Sequence, residues 1–223
     1  MQAVTKYWPL YLLLVLQVLF FQFPEIDIAF THLFFDSQQG FFLSDNSLVK
    51  FSYTVFKYLH IWLLVIMLWL WLASWWWAKF GEKELRRTIV FLVVVMAFGP
   101  GLVVNEVFKA ESGRARPATV EAFGGEKTFT PAFVASDQCA GNCSFVSGHA
   151  GLGFYFLAFA WAFGDRRWLY YGALIGGLVG LGRITQGAHF LSDVIFGYAV
   201  VYASALLCAR WILGRWQVEK AES

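Results

Sequence analysis

Between two long apolar runs, the stretch Gly182-Arg183-Ile184-Thr185-Gln186-Gly187-Ala188-His189-Phe190-Leu191-Ser192-Asp193 sets a cation, an imidazole and an acid close together. A charged side chain within a membrane is costly, so each marks a functional candidate. His189 and Asp193 are four residues apart, a spacing that stacks them on one face of a helix. An acid that holds one ring nitrogen of a histidine leaves the other free for chemistry. Two further stretches are of the same kind. Lys109-Ala110-Glu111-Ser112-Gly113-Arg114-Ala115-Arg116-Pro117 is rich in cations, and Ser147-Gly148-His149 opens another apolar run.

The elements that must position these residues are read from apolarity. The chain has 223 residues, 59% hydrophobic and 14% charged, with mean hydropathy +0.58. Soluble domains average about 45–50% apolar and about 25% charged, so the composition is that of a membrane protein. The 11 Trp, 9 Tyr and 24 Phe cluster near the ends of apolar runs, as interfacial rings do. A net charge of +2 is too small to suggest a nucleic-acid partner. A span needs roughly 20 apolar residues. Six runs qualify or nearly do, at about 8–23, 54–78, 88–108, 148–163, 168–182 and 190–213. The expectation is an all-α, polytopic bundle forming one membrane-embedded domain over 1–223. Residues 24–52 read as an interfacial loop or short amphipathic helix. Lys79 to Arg87 reads as a charged turn, Gly99-Pro100 as a kink, and the glycines of 168–182 as a surface for close helix packing. Asn105 and Glu106 are polar where lipid would disfavour them. Nothing at the N-terminus resembles a cleavage site, so the first run is expected to be retained.

An even number of spans puts both termini on one side. That side would carry ten Lys and Arg, the other seven, and the seven include the cations of the candidate stretches. The positive-inside bias then makes the termini cytoplasmic and turns residues 109–146 and 183–189 outward, towards a bacterial periplasm. Cys139 and Cys143 would be free thiols in a reducing compartment; facing the periplasm they are a candidate disulfide. Cys208, in an apolar run, reads as inert.

The same parity brings Lys109 and Arg116, Ser147-Gly148-His149, and Arg183, His189 and Asp193 to one membrane face. Cations, histidines and one acid at such a place suit an anion that is bound and transformed, and phosphoryl transfer fits best. Lys and Arg hold phosphate oxygens. Ser147 and Gly148 precede a helix whose N-terminal amides can face an anion. His189, oriented by Asp193, can attack phosphorus, and His149 can protonate the leaving oxygen and then activate water. Carboxylates in metal-binding number are lacking, so neither metal nor cofactor is expected. Each element has a structural counterpart. Either histidine could be a satisfied interfacial residue, Asp193 a helix cap, Arg114 and Arg116 interfacial anchors, and Ser147-Gly148 a plain helix start. The structural account requires all of them to meet by accident.

The three stretches resemble the motifs of the type 2 phosphatidic acid phosphatase (PAP2) superfamily. Lys109 through Arg116-Pro117 is similar to KxxxxxxRP, Ser147-Gly148-His149 to PSGH, and Arg183-x5-His189-x3-Asp193 to SRxxxxxHxxxD. Val146 and Gly182 replace the Pro and Ser of the last two. The resemblance covers the latter half of the chain and implies a metal-independent phosphatase with a phosphohistidine intermediate. By position His189 would be nucleophile, Asp193 its partner and His149 the acid, with Lys109, Arg116, Ser147, Gly148 and Arg183 binding phosphate.

A site at the bilayer surface suits a membrane lipid phosphate as partner. The candidates are lipid A phosphates, phosphatidylglycerophosphate, phosphatidic acid and undecaprenyl pyrophosphate. Phe123-Gly124-Gly125 through Phe133, together with Cys143 through His149, is similar to bacterial lipid A 1-phosphatases. Two rival functions remain: a lipid phosphotransferase on the same scaffold, and a non-catalytic lipid-binding or transport protein.

Overall fold

The computed structural model describes residues 2–76 and 82–218. Helix α1 (Gln2–Gln22) is followed at Pro24 by α2 (Glu25–His32), with an 83° bend between Leu14–Gln22 and Glu25–His32. A short antiparallel hairpin follows, β1 (Phe35–Asp36) against β2 (Gly40–Phe41), with Phe35 opposite Phe41. The region expected to be a loop or short helix is therefore both a helix and a hairpin.

Helix α3 (Ser47–Ala73) begins seven residues before the apolar run. The cause is Asn46, whose Oδ1 accepts from the amides of Leu48 at 2.9 Å and Val49 at 3.4 Å. The early start makes Tyr53 helical. The turn expected from Lys79 begins outside the described residues, and its latter part, from Glu82, is already helix. Helix α4 runs as Glu82–Met96, then a wider π-type winding over Ala97–Phe108, then a last turn Lys109–Glu111. Pro100 lies inside the wide section, where it cannot donate to the ladder, and the change of winding is how the helix accommodates it.

Helix α5 (Gly148–Phe163), α6 (Arg167–Thr185) and α7 (Leu191–Leu213) form the rest of the bundle. The glycines of α6 let its neighbours approach. A Cβ on Gly172 would strike the backbone of Leu157, one on Gly176 the Phe154 ring, and one on Gly180 the Val194 side chain. Phe154, Leu157, Ile184 and Val201 are buried along this seam, and Phe91, Val95, Tyr155 and Trp161 form a second core against α4.

By length and apolarity three helices can cross a membrane: Ser47–Ala73, Lys83–Phe108 and Leu191–Leu213. The bent pair of α1 and α2, taken as one span, would make a fourth. Each of the six apolar runs contains a helix among the described residues, but α5 is shorter than these and α6 does not qualify, so six full spans are not established. Apolar side chains point outward along α3, with Trp62 65% and Leu68 58% exposed, as expected of a helix against lipid.

Candidate active site

The start of α5 is stitched to both of its neighbours. Ser147 caps the helix, its Oγ accepting from the Ala150 amide, and its own N–H donates to the Asp193 carbonyl at 3.1 Å. Gly148 faces the end of α4: a Cβ there would stand 2.8 Å from Asn105 Oδ1 and 3.7 Å from Lys109 Nζ. Asn105 is itself fixed, its Nδ2 donating to the Pro100 carbonyl at 2.7 Å. Only a glycine at 148 leaves this approach open.

The His149 ring stacks on Tyr53 of α3, centroids 4.7 Å apart and planes at 21°. Its Nε2 is buried and has no hydrogen-bond partner among the described residues. The guanidinium of Arg183 lies 4.7 Å over the same Tyr53 ring and donates to Gln186 Oε1, while its Nε has no partner. Arg183 sits on the last turn of α6, so the helix extends past the end expected for it. One tyrosine thus carries both the candidate acid and a candidate phosphate ligand.

His189 is buried just ahead of α7, so its pairing with Asp193 arises across the helix start and not along a helical face. Its Nδ1 donates to the Ser144 carbonyl at 2.7 Å. Asp193 Oδ2 is 3.6 Å from the same nitrogen, beyond hydrogen-bond length, so its action on the ring is electrostatic. That carboxylate oxygen accepts from Ser144 Oγ at 2.5 Å and from the Phe190 amide at 2.7 Å. Asp193 is therefore also a helix cap, as its structural reading allowed. With Nδ1–H committed to a carbonyl, the lone pair belongs to Nε2. Burial, reinforced by Arg183 and Arg116 and opposed by Asp193, lowers His189 to about 4, so the ring is neutral at ordinary pH.

Behind this pair lies a polar core. Arg114, 1% exposed, donates through Nη1 to Asp193 Oδ1 at 2.5 Å and Ser192 Oγ at 2.9 Å. Its Nη2 donates to Asp27 Oδ2 of α2 at 2.8 Å and its Nε to the Thr130 carbonyl at 2.8 Å. Asp27 in turn accepts from the Ser192 amide at 2.8 Å and from Ser192 Oγ at 2.5 Å. Arg114 is thus not an interfacial anchor but the link between two buried carboxylates.

The 109–146 connection is folded back on the bundle. The Cys143 amide donates to the Lys109 carbonyl, the Ser144 amide to the Arg114 carbonyl, and the Ala118 amide to the Gly187 carbonyl. Gly113, at φ +59, lies so close to the Ser136 carbonyl that any side chain would collide. Cys139 and Cys143 are joined by a disulfide, Cα–Cα 5.7 Å. Within that small ring the Asn142 carbonyl accepts from Arg116 Nε at 3.2 Å and Nη2 at 2.7 Å. Burial, with the charges of Arg116 and Arg183, lowers Lys109 to about 8. His149 lies in the field of Lys109, Arg116, Arg183 and His189 together.

The structure therefore gathers Lys109, Arg116, Ser147, Gly148, His149, Arg183, His189 and Asp193 around one place, as the parity argument expected. It adds Asp27, Tyr53, Ser144 and Arg114. Asp27 carried a legible signal, an acid inside the apolar Ile26-Asp27-Ile28 run. Tyr53 and Ser144 carried none. Among the described residues, no group of three or more His, Cys, Asp or Glu is arranged to hold a metal ion.

A family model described as the PAP2 superfamily matches residues 88–217. The chain is 40% identical over 192 residues to a lipid A 4′-phosphatase of Francisella tularensis subsp. novicida, covering 84% of this chain and 86% of that protein. It is 32% identical over 211 residues to lipid A 4′-phosphatases of Rhizobium leguminosarum and Rhizobium etli, covering 86% of this chain and 90% and 82% of theirs. These relatives are named for the 4′-phosphate, not for the 1-phosphate that the loop resemblance suggested. No solved structure matches the chain significantly.

Proposed function

This chain belongs to the PAP2 superfamily, and we propose that it is a lipid phosphatase that removes the 4′-phosphate of lipid A through a phosphohistidine intermediate. The names of the three relatives support the substrate. One observation carries the mechanism: the Nδ1–H of buried His189 is committed to the Ser144 carbonyl, which leaves Nε2 unprotonated in the field of Arg116 and Arg183.

In this reading Lys109, Arg116 and Arg183 hold the phosphate oxygens, and the amides at the start of α5, after Ser147 and Gly148, complete the cradle. His189 Nε2 attacks phosphorus as the bond to the sugar oxygen breaks, and His149 gives that oxygen its proton. His149 then takes a proton from water, whose oxygen attacks the phosphohistidine. Inorganic phosphate leaves and both rings return to their starting forms. The unpartnered Nε2 of His149 suits a group that exchanges protons with substrate and water.

The same reading makes residues 1–223 one membrane-embedded domain of six spans in the bacterial inner membrane. The termini are cytoplasmic and the site faces the periplasm. The Cys139–Cys143 disulfide supports that orientation. The test uses the full chain in detergent, with EDTA, and lipid A carrying a 4′-phosphate. Inorganic phosphate is expected with wild type and none above background with His189→Ala. Equal release from both would overturn the mechanism. Release from lipid A bearing only a 1-phosphate, at a higher rate than from the 4′ form, would overturn the substrate.

A further inference from the structure

We propose that Asp27 and Arg114 are positioning residues for the reaction, which hold Asp193 and so set the charge that His189 experiences. This rests on the reading of His189 as nucleophile. Arg114 fills an unspecified position of the first motif, and Asp27 comes from α2, outside all three motifs and outside the segment the family model covers.

The geometry is that of a held carboxylate. Every nitrogen of the Arg114 guanidinium is engaged, on Asp193, Ser192, Asp27 and the Thr130 carbonyl. Its flat face lies 4.4 Å from the Phe190 ring, so it can neither rotate nor drift. Asp27 holds the far side of that guanidinium and also both the amide and the hydroxyl of Ser192, the residue before Asp193. Asp193 therefore has Oδ1 committed to Arg114, and Oδ2 turned towards Ser144, Phe190 and the His189 ring. Asp27, Arg114 and Asp193 are each at most 1% exposed, so water does not screen this chain of charges.

One guanidinium stands between two carboxylates, and the arrangement fixes a sign. Arg114 offsets part of the negative charge that Asp193 presents to His189. Asp27 offsets part of the positive charge of Arg114. Removing Arg114's charge makes the surroundings of His189 more negative and raises its affinity for a proton. Removing Asp27's charge does the opposite. The other charged groups that reach His189 are Arg183 of α6 and Arg116 of the loop, with His149 across the site.

The test measures phosphate release from 4′-phosphorylated lipid A by the full chain in detergent, as kcat and KM across pH, with folding checked by monodisperse elution. Arg114→Gln is expected to lower kcat by roughly 10–100-fold, the range for outer-shell partners of ligating histidines, with KM within about twofold. Its acid limb should move to higher pH. Arg114→Lys should return the limb to its wild-type position while kcat stays low, because the charge returns and the fork does not. Asp27→Asn should lower kcat with the limb at or below the wild-type pH. Lowered kcat with an unmoved limb in Arg114→Gln would mean a purely structural role and overturn the proposal, as would wild-type kcat in folded Asp27→Asn. Where Arg114→Gln does not elute as a folded protein, Asp27→Asn and Ser192→Ala decide. A fall in kcat at unchanged KM supports the proposal, and unchanged kcat overturns it. His189→Ala separates the two levels: if it remains active, the nucleophile reading fails, whatever these variants do.

Discussion

Burial holds His189 at about 4, and burial with Arg116 and Arg183 holds Lys109 at about 8, so the two groups bracket a working range. In the proposed mechanism His189 must be neutral to attack, and it is protonated only below its lowered value. In the same mechanism Lys109 must be charged to attract phosphate, and it loses its proton above about 8. The ratio kcat/KM is therefore expected to fall on the acid side near about 4 and on the alkaline side near about 8, read from initial rates of phosphate release. Lys109→Met should lower kcat/KM throughout and remove the alkaline limb, and a limb that persists would assign it elsewhere. Tyr53 makes a second prediction at this scale. A stacking contact with His149 and a cation–π contact with Arg183 are worth about 1–2 kcal/mol together. Tyr53→Ala should cost about tenfold in kcat/KM, and Tyr53→Phe, which keeps the ring, much less. The candidate residues of the three stretches were legible because type and spacing are local properties of a chain. Tyr53 and Ser144 were not, because one contributes a ring face and the other a backbone carbonyl, and a lone Tyr or Ser in an apolar chain announces neither. Asp193 was legible as a partner of His189, but its 3.6 Å separation and the Ser144 carbonyl that takes the Nδ1–H come only from the fold.

At the scale of elements, glycine sets how closely helices can carry the site. Gly148 meets Asn105 across the α4–α5 crossing, so Gly148→Ala is expected to displace the Asn105 side chain or the start of α5. Activity should fall at least tenfold with little change in thermal stability, because the obstruction is local. Gly176 meets the Phe154 ring inside the bundle. Gly176→Val overpacks that seam at about 1–3 kcal/mol, so the melting temperature in detergent should fall by several degrees. An unchanged melting temperature would mean that α6 is free to move away. The sequence marked where the helices lie, since apolar runs do that directly. It misplaced several ends, and the reasons are chemical. Asn46 starts α3 early through its side chain, and the polar face of Glu82 to Arg87 continues α4 outward past the apolar run. The run at 24–52 was ambiguous because two-residue strands leave too short a pattern to read.

The whole molecule should present one face to the periplasm. Lys127 is exposed on the 109–146 connection, Cys139 and Cys143 are paired, and Cys208 is buried. Lys127→Cys is therefore expected to react with a membrane-impermeant maleimide on intact spheroplasts, and protection until lysis would reverse the orientation. The buried network adds a consequence for how the protein is made. Asp27 and Ser192 touch although 165 residues separate them, and Arg114, which joins them, lies between. A ribosome delivers these partners in order, first the acid, then the guanidinium, last the hydroxyl and the second acid. Until α7 emerges, α2 holds a carboxylate with no completed set of donors, and the proposed nucleophile His189 has no Asp193 beside it. On the proposed mechanism, activity therefore waits for α7, because only α7 brings Asp193 to His189 and closes the set of donors around Asp27.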